Sequence, residues 1–195
     1  AARRAAAGRR ALSSRAMTTT RATLVPHPST PCDAVEGLGA HVTLTASGRL
    51  QLHYVLRGPL AQFAIAAPAA QRFRDGLWRH TCFEAFVAAD GAAAYRELNV
   101  APSREWAAYS FTKYREGMAK LENAPQVAVR KDVDRLELDV AVELASWFDA
   151  PWRTLQLGLA AVVETADGRH VYYALRHPSE RPDFHHRGGF ALQLS

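Results

Sequence analysis

Two glutamates lie in a β-hairpin pattern at positions where an ordinary core would carry aliphatic side chains. Residues 80–100 alternate in character, and Asp90-Gly91 between the two halves is typical of a two-residue type I′ turn. With such a turn Glu84 faces Glu97, and Asn99 lies on the same side of the sheet. Opposed carboxylates repel unless a ligand, a cation, a shared proton or an arginine neutralises them. We therefore interpret this polar face as the functional part of the molecule.

A predicted third strand adds tryptophan to the polar face. A four-residue loop at 102–105 would lead into a strand over 106–112 and place Trp106 beside the glutamates. Trp78 precedes Glu84 by an even number of positions and joins them if the strand extends that far. An indole beside acids and an amide is typical of sugar sites, since the ring stacks on C–H groups while the polar groups bind hydroxyls. The alternative interpretation is a solvated sheet face.

Basic side chains complete the candidate site. Arg115, with Arg79 and Arg96, is a candidate to neutralise the glutamate pair. His177 and His185 lie in a polar C-terminal loop that we expect to border the ligand site, and their irregular spacing does not predict a zinc site. Paired carboxylates also occur in glycosidases. The sequence has no nucleophile elbow or His-Asp pairing to support catalysis, so we predict no enzyme activity.

The elements that must position these residues are predicted to be strands, since turn signals separate short apolar stripes. The clearest apolar stripes, 136–144 and 155–163, supply Leu138, Val140 and Leu157 to the predicted core, together with Leu159. Further strands are expected at residues 40–46, 50–56, 61–66, 126–130, 171–175 and 190–194. Many short strands without a sustained helical period predict an all-β, two-sheet antiparallel β-sandwich. A short helix is expected at 145–148 or 69–74.

The basic charge of the chain comes from its first residues. The net charge of +5 includes five arginines within residues 1–16, and the remainder has 19 basic and 19 acidic residues. We therefore expect no nucleic-acid-binding face. Residues 1–33 are predicted to be a flexible Arg/Ala-rich tail, with Met17 as the candidate natural start, and residues 34–195 a single β-sandwich domain.

The remaining composition favours a reducing cytoplasm. Cys32 and Cys82 form neither a disulfide framework nor a metal motif, and no secretory signal or membrane-spanning stretch is evident. We expect no membrane partner, and nothing in the sequence indicates an oligomeric state.

Several motifs resemble those of DOMON-like proteins related to family 9 carbohydrate-binding modules. In chain order they are W-R-H-T-C-F-E-A-F, Y-R-E-L-N-V-A-P-S, W-A-A-Y-S-F, Y-R-E-G-M, V-V-E-T-A-D-G, Y-Y-A-L-R-H-P and R-P-D-F-H. The resemblance extends from about residue 35 to the C-terminus. It implies a β-sandwich that binds a small ligand, either a sugar or haem, rather than one that performs chemistry.

Haem is the main alternative to sugar. Met118 is the only methionine after the presumed start, and His80, His170, His177 and His185 are candidate partners. No C-x-x-C-H motif occurs, which excludes covalent attachment. We therefore predict a non-catalytic domain without a cofactor that binds a small ligand, with carbohydrate as the first choice. Non-covalent haem, or a structural or interaction domain with no small ligand, is the alternative.

Overall fold

The computed structural model describes residues 17–148 and 152–195, which form an antiparallel β-sandwich. In chain order its strands are β1 (Thr18–Thr23), β2 (Val25–Pro26), β3 (Gly37–Leu44), β4 (Arg49–Arg57), β5 (Cys82–Ala89), β6 (Tyr95–Val100), β7 (Trp106–Phe111), β8 (Ala119–Lys120), β9 (Gln126–Lys131), β10 (Arg135–Glu143), β11 (Leu155–Glu164), β12 (His170–Ala174) and β13 (Leu192–Leu194). Short 3-10 turns occur at Leu60–Gln62, Leu77–Arg79, Leu144–Ser146 and Arg187–Gly189. The predicted all-β sandwich is confirmed.

The two sheets differ in size. The smaller has five strands in the order β1-β3-β4-β10-β9. The larger runs β2-β12-β11-β5-β6-β7-β8, and β13 extends it by pairing with β11. The β11–β5 pair joins the two halves of the larger sheet, so residues distant in sequence meet at its centre.

Period-two alternation builds the core between the sheets. Leu138 and Val140 on β10 face Leu157 and Leu159 on β11 across one apolar cluster, and each of the four is at most 2% exposed. The predicted core stripes are therefore confirmed. A second, smaller cluster lies on the opposite side of the larger sheet. Connecting segments cover it, and the candidate site lies within this covered region.

Several local predictions need correction. The predicted tail, residues 1–33, contains β1, which pairs with β3 along its whole length, and β2, which pairs with β12. The sandwich therefore begins well before residue 34, while residues 1–16 lie outside the described residues. The strand expected at 61–66 begins as the Leu60–Gln62 turn, and residues 69–74 form no helix. The helix expected at 145–148 is the short 3-10 turn Leu144–Ser146.

The β5–β6 hairpin differs from the prediction at its turn. Residues 90–94 connect the strands. The Ala92 N–H donates to the carbonyl of Ala89, so a tight turn forms at Asp90-Gly91, but the paired residues of the two strands begin only at Val87 and Arg96. As a result Glu84 lies opposite Asn99, and Glu97 is its diagonal neighbour rather than its direct partner. This shift of two residues leaves every side chain on its predicted face, because the strand period is two.

The β6–β7 hairpin differs by one residue, which reverses a face. Val100 pairs with Trp106, and the Ala101 N–H donates to the carbonyl of Glu105. The connection is thus three residues long, with Arg104 in the left-handed region at φ 72°. Trp106 therefore points into the core between the sheets, where it is 5% exposed. The prediction that Trp106 belongs to the polar face is wrong.

Within the described part of the chain, no helix combines the length and the apolar character needed to cross a membrane.

Candidate functional site

A row of small side chains opens a depression in the outer face of the larger sheet. Ala174 on β12, Ala160 on β11 and Ala107 on β7 lie in register with Glu84 on β5 and Asn99 on β6. Alanine leaves space above the sheet that larger residues would fill. Glu84 therefore lies at the floor of a concave region rather than on a flat sheet, and Asn99 is buried beside it.

Aromatic side chains and loops form the walls of a pocket of about 500 Å³. This volume is within the range of small-molecule sites. Its lining has five aromatic residues, three charged residues, one imidazole and three other residues: Trp78, Tyr109, Phe111, Tyr172, Phe184, Glu84, Glu97, Arg115, His185, Met118, Val162 and Pro182. The pocket combines apolar ring surfaces with a few convergent polar groups, as ligand sites commonly do.

Glu84 is a buried acid with an unsatisfied oxygen. It is 4% exposed, and its Oε1 atom has no hydrogen-bond partner. Burial raises the pKa of Glu84 well above its usual range, repulsion from Glu97 raises it further, and Arg115 partly opposes both effects. A buried polar atom without a partner costs about 1–3 kcal/mol. A ligand that supplied this partner would therefore gain free energy at this position.

Glu97 shares the same environment but has one strong contact. The Asn99 side chain donates from Nδ2 to Glu97 Oε1 at 2.7 Å. Burial raises the pKa of Glu97 to about 7, against the lowering effects of the Asn99 hydrogen bond and of Arg115. Asn99 is fully buried, and its own Oδ1 has no partner. Two carboxyls thus lie at the floor of the pocket, and the buried amide beneath them has an oxygen without a hydrogen-bond partner.

His185 approaches the glutamates from the C-terminal loop. Its Nδ1 lies 2.8 Å from the Tyr95 hydroxyl, and its Nε2 lies 3.7 Å from Glu97 Oε2. The Tyr95 hydroxyl accepts the backbone N–H of Arg115, so its proton is available for Nδ1. We assign the tautomer with the proton on Nε2, which directs an N–H towards Glu97. Burial and Arg115 lower the pKa of His185 to about 4, so the ring is neutral near pH 7.

Arg115 links two loops at the edge of the pocket. Its guanidinium lies 2.9 Å from Asp183, which also accepts from the Tyr114 hydroxyl at 2.7 Å. Arg115 has φ 54°, a left-handed conformation that is uncommon outside glycine. Since the Tyr95 hydroxyl holds its backbone N–H as well, both ends of the residue are fixed. Such fixed, strained backbone often occurs at ligand sites.

Tyr109 and Trp78 form one aromatic wall. The Tyr109 hydroxyl donates to Asp75 at 2.6 Å, and Asp75 also pairs with Lys120. The Trp78 and Tyr109 rings meet edge to face with centroids 6.2 Å apart. Trp78 is 41% exposed, so much of its indole remains available to a ligand.

Five of the eight site residues predicted from sequence line this pocket: Trp78, Glu84, Glu97, Arg115 and His185. Trp78 reaches it from the Leu77–Arg79 turn rather than from an extended strand. Asn99 lies beneath the floor, in contact with Glu97. Trp106 belongs to the core, as described above. His177 is outside the lining, since its Nε2 contacts the carbonyl of Val25 and its ring lies near Phe184.

Sequence reasoning missed several lining residues. The register of β7 differs by one residue from the predicted one and places Tyr109 opposite Glu97. Tyr109 and Phe111 line the pocket for this reason. Tyr172 lies on the same face of β12 as Ala174, and the alternation of side chains along this strand could have identified it. Phe184 comes from an irregular loop, for which the sequence offers no periodic signal.

Among the described residues, no group of three or more histidine, cysteine, aspartate or glutamate side chains has an arrangement that could hold a metal ion.

Comparison with known proteins places the fold. No family model matches the chain, and no curated protein matches it. Among solved structures, the chain is similar to a proposed carbohydrate-binding protein from Bacteroides uniformis, with a TM-score of 0.62 and 14% sequence identity. The match covers 89% of this chain and 84% of that protein. At this identity the similarity establishes a shared β-sandwich fold across most of both chains.

Proposed function

We propose that the pocket binds a small carbohydrate without chemically converting it. The observation that carries the proposal is the buried Glu84 carboxyl, which lies on the pocket floor with Oε1 unsatisfied. A sugar hydroxyl can satisfy this atom, while the ring C–H groups of the sugar pack against Trp78 and Tyr109. The pocket volume suits a ligand of this size.

Binding accounts for the paired acids better than catalysis does. An acid–base pair requires two environments that push the pKa values of its members apart, so that one group is protonated and the other ionised. Burial raises the pKa of both Glu84 and Glu97. Because the pKa of both carboxyls is raised, both favour the protonated form, and together they offer a donor and acceptors to hydroxyl groups.

The Bacteroides uniformis protein supports the proposal by analogy. It shares the fold over most of its length and is described as a proposed carbohydrate-binding protein. Since one fold hosts many functions, this support is weaker than that of the pocket itself.

Titration calorimetry with a panel of mono- and disaccharides tests the proposal. We expect at least one sugar to bind, and Trp78→Ala and Glu84→Gln each to weaken that binding at least tenfold. Trp78 is partly exposed, so its truncation should leave the fold intact. Val133→Ala, at an 80% exposed position between β9 and β10, and Glu122→Gln, at an exposed glutamate, are the matched controls and should bind normally.

Failure of every sugar to bind would contradict the proposal. A structural or interaction domain without a small ligand would then be the better account of the fold.

Haem fits the same pocket less well. Met118 and His185 both line it, as an axial pair would require. However, the two ring nitrogens of His185 face Tyr95 and Glu97, and the floor carries two acids where a porphyrin would present an apolar ring. We therefore expect no Soret band after incubation with haem and removal of the excess. A stable band that Met118→Ala abolishes would overturn this expectation.

A further inference from the structure

The unsatisfied atoms at the pocket floor share one chemical character. When Glu84 is ionised, its Oε1 at the floor and Asn99 Oδ1 beneath it are both buried acceptors, and neither has a partner. A ligand that completes the floor must therefore bring donors rather than acceptors. A hydroxyl brings one donor together with two lone pairs, whereas an ammonium brings three donors and no lone pair.

When the two glutamates are ionised, the charges around the floor are unbalanced in the same sense. Arg115 lies 2.9 Å from Asp183, and this acid balances its charge. His185 is the basic side chain that approaches Glu97, at 3.7 Å, and it is neutral near pH 7 because burial and Arg115 hold its pKa at about 4. Among the described residues, Glu84 and Glu97 are therefore left without a cation of their own.

The walls suit a cation as well as a sugar ring. Trp78 and Tyr109 stand on one side of the pocket, and Tyr172 and Phe184 on the other, where their rings lie 6.0 Å apart. Aromatic faces attract cations, most strongly where water is excluded. They also pack against the C–H faces of sugar rings.

From the donor deficit, the charge imbalance and the aromatic walls, we infer that the ligand is an amino sugar whose ammonium group contacts Glu84 and Glu97. This inference rests on the proposed carbohydrate function and narrows its ligand class. Neutral sugars satisfy the aromatic walls but bring no charge that would stabilise the ionised form of the acids. Anionic sugars add a like charge beside both acids.

Proton release distinguishes an ammonium ligand from a neutral one. The titratable groups that act on the pair come from the surrounding strands and loops: Tyr54, Cys82, Tyr95, Tyr109, Arg115 and His185. Asp183 acts on the pair through Arg115. In the free protein, burial favours the protonated form of both glutamates. An ammonium bound between them favours their charged forms, so protons leave the protein when the ligand binds.

Calorimetry with matched sugars in two buffers of different ionisation enthalpy measures both affinity and proton release. The probes are glucosamine, N-acetylglucosamine and glucose at pH 6.5, with the corresponding galacto and manno series. N-acetylation keeps the ring and removes the charge. We expect one amino sugar to bind at least tenfold more tightly than both of its neutral analogues and to release protons on binding.

Glu84→Gln should remove this preference, because it deletes one of the two carboxyls that contact the ammonium. Glu122→Gln should retain the preference, and equal thermal unfolding of the two variants would show that both are folded. Persistence of the preference in folded Glu84→Gln would overturn the inference.

Each other outcome has a distinct meaning. Neutral sugars that bind as tightly as amino sugars, without proton release, would overturn the inference and support the proposed function. Absence of binding by every sugar would overturn both. Binding of spermidine in the absence of any sugar binding would overturn the amino-sugar assignment and the carbohydrate function together.

Discussion

Glu84 and Glu97 lie at buried positions where their side chains lower the stability of the fold. Each is at most 5% exposed, and burial raises the pKa of both side chains. Apolar residues in the same positions would avoid this cost. A local conflict between residue type and environment often marks a functional site, and here the conflict lies on the floor of the pocket.

Glu97→Gln should reduce the dependence of stability on pH. A carboxyl with a higher pKa in the folded state holds its proton more tightly when folded, so stability is greatest below the unfolded pKa and falls as pH rises. For Glu97 the fall spans about 4.5 to about 7, which corresponds to about 3 kcal/mol before any relaxation. Glutamine cannot ionise, so the variant should lose less stability over this interval.

Urea unfolding at pH 5, 6, 7 and 8 measures this difference. Glu122→Gln, which changes an exposed glutamate, should follow the wild type. If the free energy of unfolding fell equally with pH in Glu97→Gln and in the wild type, Glu97 would be ionised or solvated in the folded protein.

Tyr95→Phe should loosen the C-terminal loop without collapsing the site. The Tyr95 hydroxyl connects the Arg115 backbone N–H to His185 Nδ1, and the ring itself is fully buried against Phe111. Removal of the hydroxyl leaves both partners unsatisfied, at a cost of about 1–3 kcal/mol. Hydrogen exchange at the Arg115 amide should become faster, and an unchanged exchange rate would contradict this bridging role.

The hairpins show which parts of the site could be predicted from sequence. The β5–β6 connection is longer than its Asp90-Gly91 signal indicates: a tight turn forms there, but residues 90–94 lie outside the paired strands, and the Asp90 N–H donates to the carbonyl of Thr154 just before β11. That error equals the strand period, so Glu84 and Glu97 remained on the predicted face. At β6–β7 a three-residue loop replaced the predicted four, and the odd shift moved Trp106 into the core.

Residues from irregular segments were harder to predict. His185 was found from its residue type, whereas Phe184 beside it was not, because a phenylalanine in a loop gives no periodic signal. Arg115 was likewise found from its charge, and its left-handed backbone was not predicted. Periodicity therefore located the floor of the site, whereas a wall residue from an irregular loop, such as Phe184, could be placed only by the tertiary structure.

Leu157→Ala tests the strand at the centre of the larger sheet. Leu157 is fully buried and pairs with Val87 on β5 and Leu192 on β13. We expect its truncation to destabilise the protein by about 2–5 kcal/mol, through lost burial and the cavity that remains. Val133→Ala, at an exposed turn, should change stability by less than about 0.5 kcal/mol. A similarly small change in stability for Leu157→Ala would mean that the position assigned to β11 is wrong.

The molecule separates the core that stabilises it from the surface that carries the site. The large cluster between the sheets contains Leu138 and Leu157, while the smaller cluster on the far side of the larger sheet contains Phe86 and Tyr95. Substitutions of pocket residues should therefore affect binding more than they affect folding. The outer face of the five-stranded sheet, around His41 and His53, serves as an internal reference surface that the ligand should not touch.

Titration of the isotope-labelled protein with sugars, followed by NMR, tests the central claim most directly. We expect shifts at the Trp78 indole N–H and at the backbone amides of Glu84, Glu97 and Phe184, with none at the β3–β4 amides around His41. Phe184 is far in sequence from Trp78, Glu84 and Glu97, and all four line the pocket. Sugar-dependent shifts confined to the five-stranded sheet, or no shifts with any sugar, would contradict the account.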